Sequence, residues 1–100
     1  MLCHSLEDVR SNIDRIDRQI VGLLAERGHY VVQAAKFKRS ADDVKAPQRV
    51  EQVIGNVIAL AKELGANAAV TEQVYRAMIG GFIAAELAEH GAIHTTQGET

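Results

Sequence analysis

A chain of 100 residues with 47% hydrophobic content fits one soluble globular domain, and a formal net charge of −2 excludes a general nucleic-acid binder. A single cysteine, Cys3, excludes a disulfide framework and a zinc-ligand pair. No apolar run reaches the roughly 18 residues of a membrane span and no secretory signal opens the chain, so a cytoplasmic protein without membrane attachment is expected.

Taken in order, Ser5-Leu-Glu-Asp8 has the Ser-x-x-Asp form of a helix start. From there to Arg39 there is no proline, and the only glycines are Gly22 and Gly28. The pattern predicts one helix over about residues 6–39, about 50 Å long at 1.5 Å per residue. A compact monomer of this length has a radius of gyration of about 13 Å, so such a rod is expected to pair with a second copy. Residues 40–46 read as a polar loop. Pro47 suits the first turn of a second helix over 47–64, where its missing N–H costs nothing, and Gly65 suits its C-terminal cap. Asn67 is expected to open a third helix over about 68–90, ending near His90-Gly91, with 91–100 as a frayed tail. No strand signal of period two occurs. The expectation is an all-α chain of three helices, one long and two shorter, forming a single domain over 1–100.

The longest apolar stripe reads Val9, Ile13, Ile16, Ile20, Leu23, Arg27, Tyr30, Ala34, Phe37, in steps of three and four that put these residues on one helical face. Arg27 interrupts it. A guanidinium cannot shed its proton, so an arginine facing a core needs an anionic partner. Glu26 and Glu86 are structural candidates, but no acid interrupts the same stripe, which points to a bound anion. Residues 1–50 hold nine Lys/Arg against seven Asp/Glu, and 51–100 hold two against six, so a locally basic site fits. On a continuous helix Lys38, 11 residues on, faces the same way as Arg27 at a separation of about 16 Å, and two such cations suit a small dicarboxylate. Arg49, just inside the second helix, is expected near Lys38. Glu86 shares an apolar stripe with Tyr75, Ile79 and Phe82, where a carboxylate is seldom buried without a partner. Arg10 is about 25 Å and 100° away from Arg27 along the helix. It can join the site only from the other copy of an antiparallel pair.

Each residue alone has a plainer reading. Arg27 suits a solvated or salt-bridged position, Lys38 a helix-end cation, and Arg10 a local pair with Glu7 or Asp14. Their coincidence on one architecture favours a site. His90 and His94 have i, i+4 spacing, but Gly91 is expected to end the helix between them, so no metal site is expected. There is no phosphate-cradling loop and no nucleophile elbow.

In Arg10, Ile13-Asp-Arg-Ile-Asp17, Leu23-Leu-Ala-Glu-Arg27, Ala34-Ala-Lys-Phe-Lys38, Ala46-Pro-Gln-Arg-Val50 and Phe82-Ile-Ala-Ala-Glu86, the chain resembles the all-helical (type II) chorismate mutases, within the branch that includes isochorismate-pyruvate lyases. The resemblance runs from about Leu6 to His90. It implies an intertwined helical homodimer with two sites, each completed by Arg10 of the partner subunit. It further implies that Arg27 and Arg49 hold the substrate carboxylates of chorismate or isochorismate, and that Lys38 meets a carboxylate and the ether oxygen of the breaking bond. No metal or cofactor is implied. Many mutases have Glu where Val50 stands, as the lyase branch does not, and many members have Gln in place of Glu86. A carboxylate there donates only when protonated, which apolar, dry surroundings favour. The function implied is rearrangement of chorismate to prephenate. Isochorismate-pyruvate lyase activity, giving salicylate and pyruvate, is the alternative, and a non-catalytic helical dimerisation module is a second one.

Overall fold

A computed structural model describes the backbone of residues 2–98 and the side chains up to Glu89. Four helices occur among the described residues: α1 (Leu6–Ala35), α2 (Ala41–Lys45), α3 (Pro47–Leu64) and α4 (Ala68–Gly98). There is no strand among them, and the chain is all-α as expected. It divides into two compact units, Met1–Tyr30 and Val31–Thr100.

The first unit is the main length of α1. Ser5 Oγ accepts the Asp8 N–H at 3.0 Å, and the Asp8 carboxylate accepts the His4 N–H at 3.0 Å. Two N–H groups are thereby satisfied at a helix start that leaves four without intrahelical partners. A single helix has nothing within its own unit to bury its stripe against. Val9, Ile13, Ile16, Ile20, Leu23 and Tyr30 are all exposed.

Two expectations about the first connection fail. Helix α1 stops at Ala35 rather than near Arg39, and residues 40–46 are not simply a loop, since Ala41–Lys45 is helical. The reason is competition for backbone donors. After Ala35 the N–H groups of Lys36, Phe37 and Lys38 bond three residues back, to Gln33, Ala34 and Ala35, the tightening common at helix ends. Ser40 then caps α2, its Oγ accepting the Asp43 N–H at 3.2 Å, while Asp43 accepts the Arg39 N–H at 3.0 Å. This is the Ser5/Asp8 arrangement repeated, and the Ser-x-x-Asp spacing at 40–43 is its sequence signal. Lys38 therefore lies beyond the helix, and the three-turn construction that put it in phase with Arg27 does not apply. Phe37, the last member of the predicted stripe, is 84% exposed.

Ala46 joins α2 to α3 in the left-handed region (φ 36°, ψ 60°), its N–H bonded to the Asp42 carbonyl. Pro47 disfavours right-handed helical geometry in the residue before it, so the break falls there. Gly65 ends α3 with φ 76°, and Asn67 Oδ1 caps α4 through the Val70 N–H at 3.0 Å. A Cβ built on Gly65 meets nothing within 4 Å, so the cost of adding one is purely conformational. Gly65→Ala is expected to lower stability by about 1 kcal/mol and Ala46→Gly to raise it by up to about 1 kcal/mol. Urea midpoints read both, and equal midpoints for the two variants would contradict the backbone account.

In the second unit α2 and α3 pack against α4. Ala35, Val44, Ile54, Ala61 and Ile79 are its buried apolar residues, and no large side chain is wholly enclosed. Helix α4 continues past His90-Gly91, where a stop was expected, to Gly98, so Gly91 does not separate His90 from His94. Their side chains, and residues 99–100 of the expected tail, lie outside the described residues.

Candidate functional site

Along α4, Tyr75, Ile79, Phe82 and Glu86 recur at helical spacing, and the face they form turns inward: Ile79 and Glu86 are buried, Tyr75 and Phe82 half-buried. Glu86 is the one charged side chain buried among the described residues, at 7% exposure. A carboxylate in that position requires a hydrogen-bonded cation, because desolvating it alone costs several kcal/mol. Lys38 supplies one, its Nζ donating to Glu86 Oε1 at 3.1 Å across 48 residues of sequence.

Lys38 remains 27% exposed. An ammonium has three donors, so one held by a buried carboxylate keeps capacity for an oxygen arriving from the open side. The pairing fixes its position in advance, the condition under which a donor stabilises developing negative charge without reorganising.

Arg49 and Val50 stand in the first turn of α3, in the same unit. Val50 is half-buried, while Arg49 is exposed and donates to Gln52 Oε1 at 2.8 Å. The structure thus joins Lys38 to Glu86 and turns Arg49 onto its own helix. Arg27, half-buried, and Arg10, exposed, belong to the first unit.

A second charged cluster had no place in the sequence reading. Arg76 on α4 makes a bidentate pair with Glu51 on α3, at 2.9 and 3.0 Å, and bonds Glu72 one turn back at 2.8 Å. The Glu72–Arg76 half was legible as an i, i+4 pair; Glu51 arrives only through packing. Hydrogen bonding to Arg76 holds the Glu51 carboxyl below its ordinary value of 4.5, and Glu51 and Glu72 together raise the guanidinium further. A depressed carboxylate contributes stability above its unfolded pKa that is lost as pH falls through the folded one. Glu51→Gln is therefore expected to lower the urea midpoint slightly at pH 7 and to match the parent protein at pH 3. A gap that persists undiminished at pH 3 would show that the pair does not act through charge. All three groups are open to water, so the effect is small and weakens with salt.

Among the described residues no group of three His, Cys, Asp or Glu side chains could hold a metal ion, and no helix is long and apolar enough to cross a membrane.

Residues 9–87 match the family model of type II chorismate mutase, an interval that contains Arg10, Arg27, Lys38, Arg49, Val50 and Glu86. The chain belongs to that family. It is 36% identical over 85 residues to the isochorismate pyruvate lyase of Pseudomonas aeruginosa, an alignment covering 85% of this chain and 84% of the relative.

Proposed function

We propose that the chain is a chorismate mutase that converts chorismate to prephenate by a pericyclic rearrangement. The observation that carries the reading is the Lys38 ammonium, half-open to water and fixed by the buried Glu86, within a segment that matches the family. In this reading Lys38 binds a carboxylate and the ether oxygen, where negative charge grows as the C–O bond breaks. Each fixed donor of this kind contributes on the order of 3 kcal/mol to the transition state. Binding also selects the folded conformer in which the reacting carbons lie close, so no covalent intermediate and no obligatory proton transfer is involved. Glu86, when protonated, donates to the same oxygen, and Arg49 and Val50 line the substrate. Arg27, and Arg10 from a partner subunit, hold the carboxylates; these two enter through their sequence positions.

A homodimer is part of the proposal. The exposed α1 residues from Val9 to Tyr30 support it, since each aliphatic side chain removed from water stabilises association by roughly 1.5–3 kcal/mol before the cost of ordering two chains. Sedimentation equilibrium tests this directly; a monomer at assay concentration would remove the shared site.

Isochorismate-pyruvate lyase activity is a second reading, favoured by Val50 and by the relative from Pseudomonas aeruginosa. Purified protein offered chorismate and isochorismate separately, with prephenate, salicylate and pyruvate measured, separates the two. Turnover of neither substrate would leave a helical dimerisation module.

A further inference from the structure

We propose that a dianionic ligand binding at Lys38 is taken up together with a proton, which goes to Glu86. The inference rests on the proposed function only in taking the ligand to be a small dicarboxylate. Lys38 Nζ and Glu86 Oε1 are 3.1 Å apart, so any oxygen that engages the exposed side of this ammonium adds negative charge beside a carboxylate that already shares it. At 7% exposure Glu86 has little water to turn to when the ammonium is drawn toward the ligand. Like charges brought this close favour the protonated form of one partner. The proton joins a Glu86 carboxylate oxygen, and the acid O–H then becomes a donor facing the ligand instead of a competing acceptor.

The other ionisable groups of the second unit are engaged or turned to solvent. Lys36, Arg39, Asp42 and Lys45 are exposed, and Asp43 accepts the Arg39 N–H. On α3, Arg49 bonds Gln52, Glu51 bonds Arg76, and Lys62 and Glu63 are exposed; on α4, Glu72 bonds Arg76 and Glu89 is exposed. Glu86 is thus the group in this unit whose charge the ligand most directly opposes.

The consequence is measurable as linkage. Binding coupled to uptake of one proton weakens tenfold for each pH unit above the Glu86 titration. The full-length protein is titrated calorimetrically with a bicyclic ether dicarboxylate that mimics the rearranging substrate. The titration is repeated at pH 7.5 in buffers of different ionisation enthalpy, for the parent chain, Glu86→Gln and Lys38→Gln. The parent is expected to take up about one proton per bound ligand. Glu86→Gln, an isosteric change that keeps a donor, is expected to bind with uptake near zero and with affinity nearly independent of pH between 6 and 8. Binding that requires Lys38 but shows the same proton count in the parent and Glu86→Gln would overturn the proton coupling and leave the functional reading standing. Parent protein that does not bind the mimic, or binding unchanged in a folded Lys38→Gln, would overturn both. Uptake by His4, His29 or another distant group would survive in Glu86→Gln, so that variant also identifies the acceptor.

Discussion

Lys38→Ala is expected to lower kcat for chorismate about 10²–10³-fold, the loss that follows removal of one preorganised donor from a site of growing negative charge. The structural reason is specific. Lys38 is anchored by Glu86, and its ammonium is already in place before a ligand arrives. The same change withdraws a cation from a buried carboxylate, so stability is also expected to fall, by up to about 3 kcal/mol given the partial exposure of Lys38. The two effects are separable. In Lys38→Ala/Glu86→Gln the carboxylate is gone, so stability is expected to return toward that of Glu86→Gln alone, while turnover stays low. Steady-state kinetics with urea melts of the four proteins provide the test. A folded Lys38→Ala protein with undiminished kcat would eliminate the electrostatic role, and turnover restored by the double change would show the pair to be structural only.

The second large effect concerns the dimer. Arg10→Ala and Lys38→Ala homodimers are each expected to be nearly inactive. If Arg10 serves the partner's site, a mixed dimer carries both defects in one site and neither in the other. After random exchange of equal amounts, half the dimers are mixed and each has one intact site of two, so activity is expected to recover to about a quarter of the parent value. Native mass spectrometry can establish that exchange has occurred. Exchange without recovery would place Arg10 and Lys38 in the same subunit's site or exclude Arg10 from catalysis. The exposed stripe of α1 makes the design reasonable, because that apolar surface has no cover within its own unit.

Much of the candidate site was readable because its residues break rules that hold locally. Glu86 stands on an apolar stripe with Tyr75, Ile79 and Phe82, and its burial follows from that spacing. Its need for a cation was equally predictable, though the cation was not: Arg27 was the candidate, and the carboxylate bonds Lys38. The expectation for Lys38 began from a helix running to Arg39. That helix ends at Ala35, because Ser40 and Asp43 cap a new turn and take the donors a longer helix would have used. The signal was present in the Ser-x-x-Asp spacing at 40–43, identical in form to the one at 5–8, and was outweighed by the continuing apolar period. At the other end of the chain Gly91 was expected to stop α4, yet the helix continues through it: an isolated helical glycine costs about 1 kcal/mol against alanine, which is not enough to break a long helix.

What the sequence determined by itself is therefore what is decided within one helical turn: helical character, the caps at Ser5, Gly65 and Asn67, the break at Pro47, and the apolar faces. Interactions of this kind join residues three or four apart, so composition and spacing suffice to specify them. The meeting of Lys38 with Glu86 and of Glu51 with Arg76, across 48 and 25 residues, was decided only when α2 and α3 packed on α4. Charge partners at that range are chosen by which side chains the packed helices bring within about 3 Å, and a buried carboxylate accepts whichever cation arrives there.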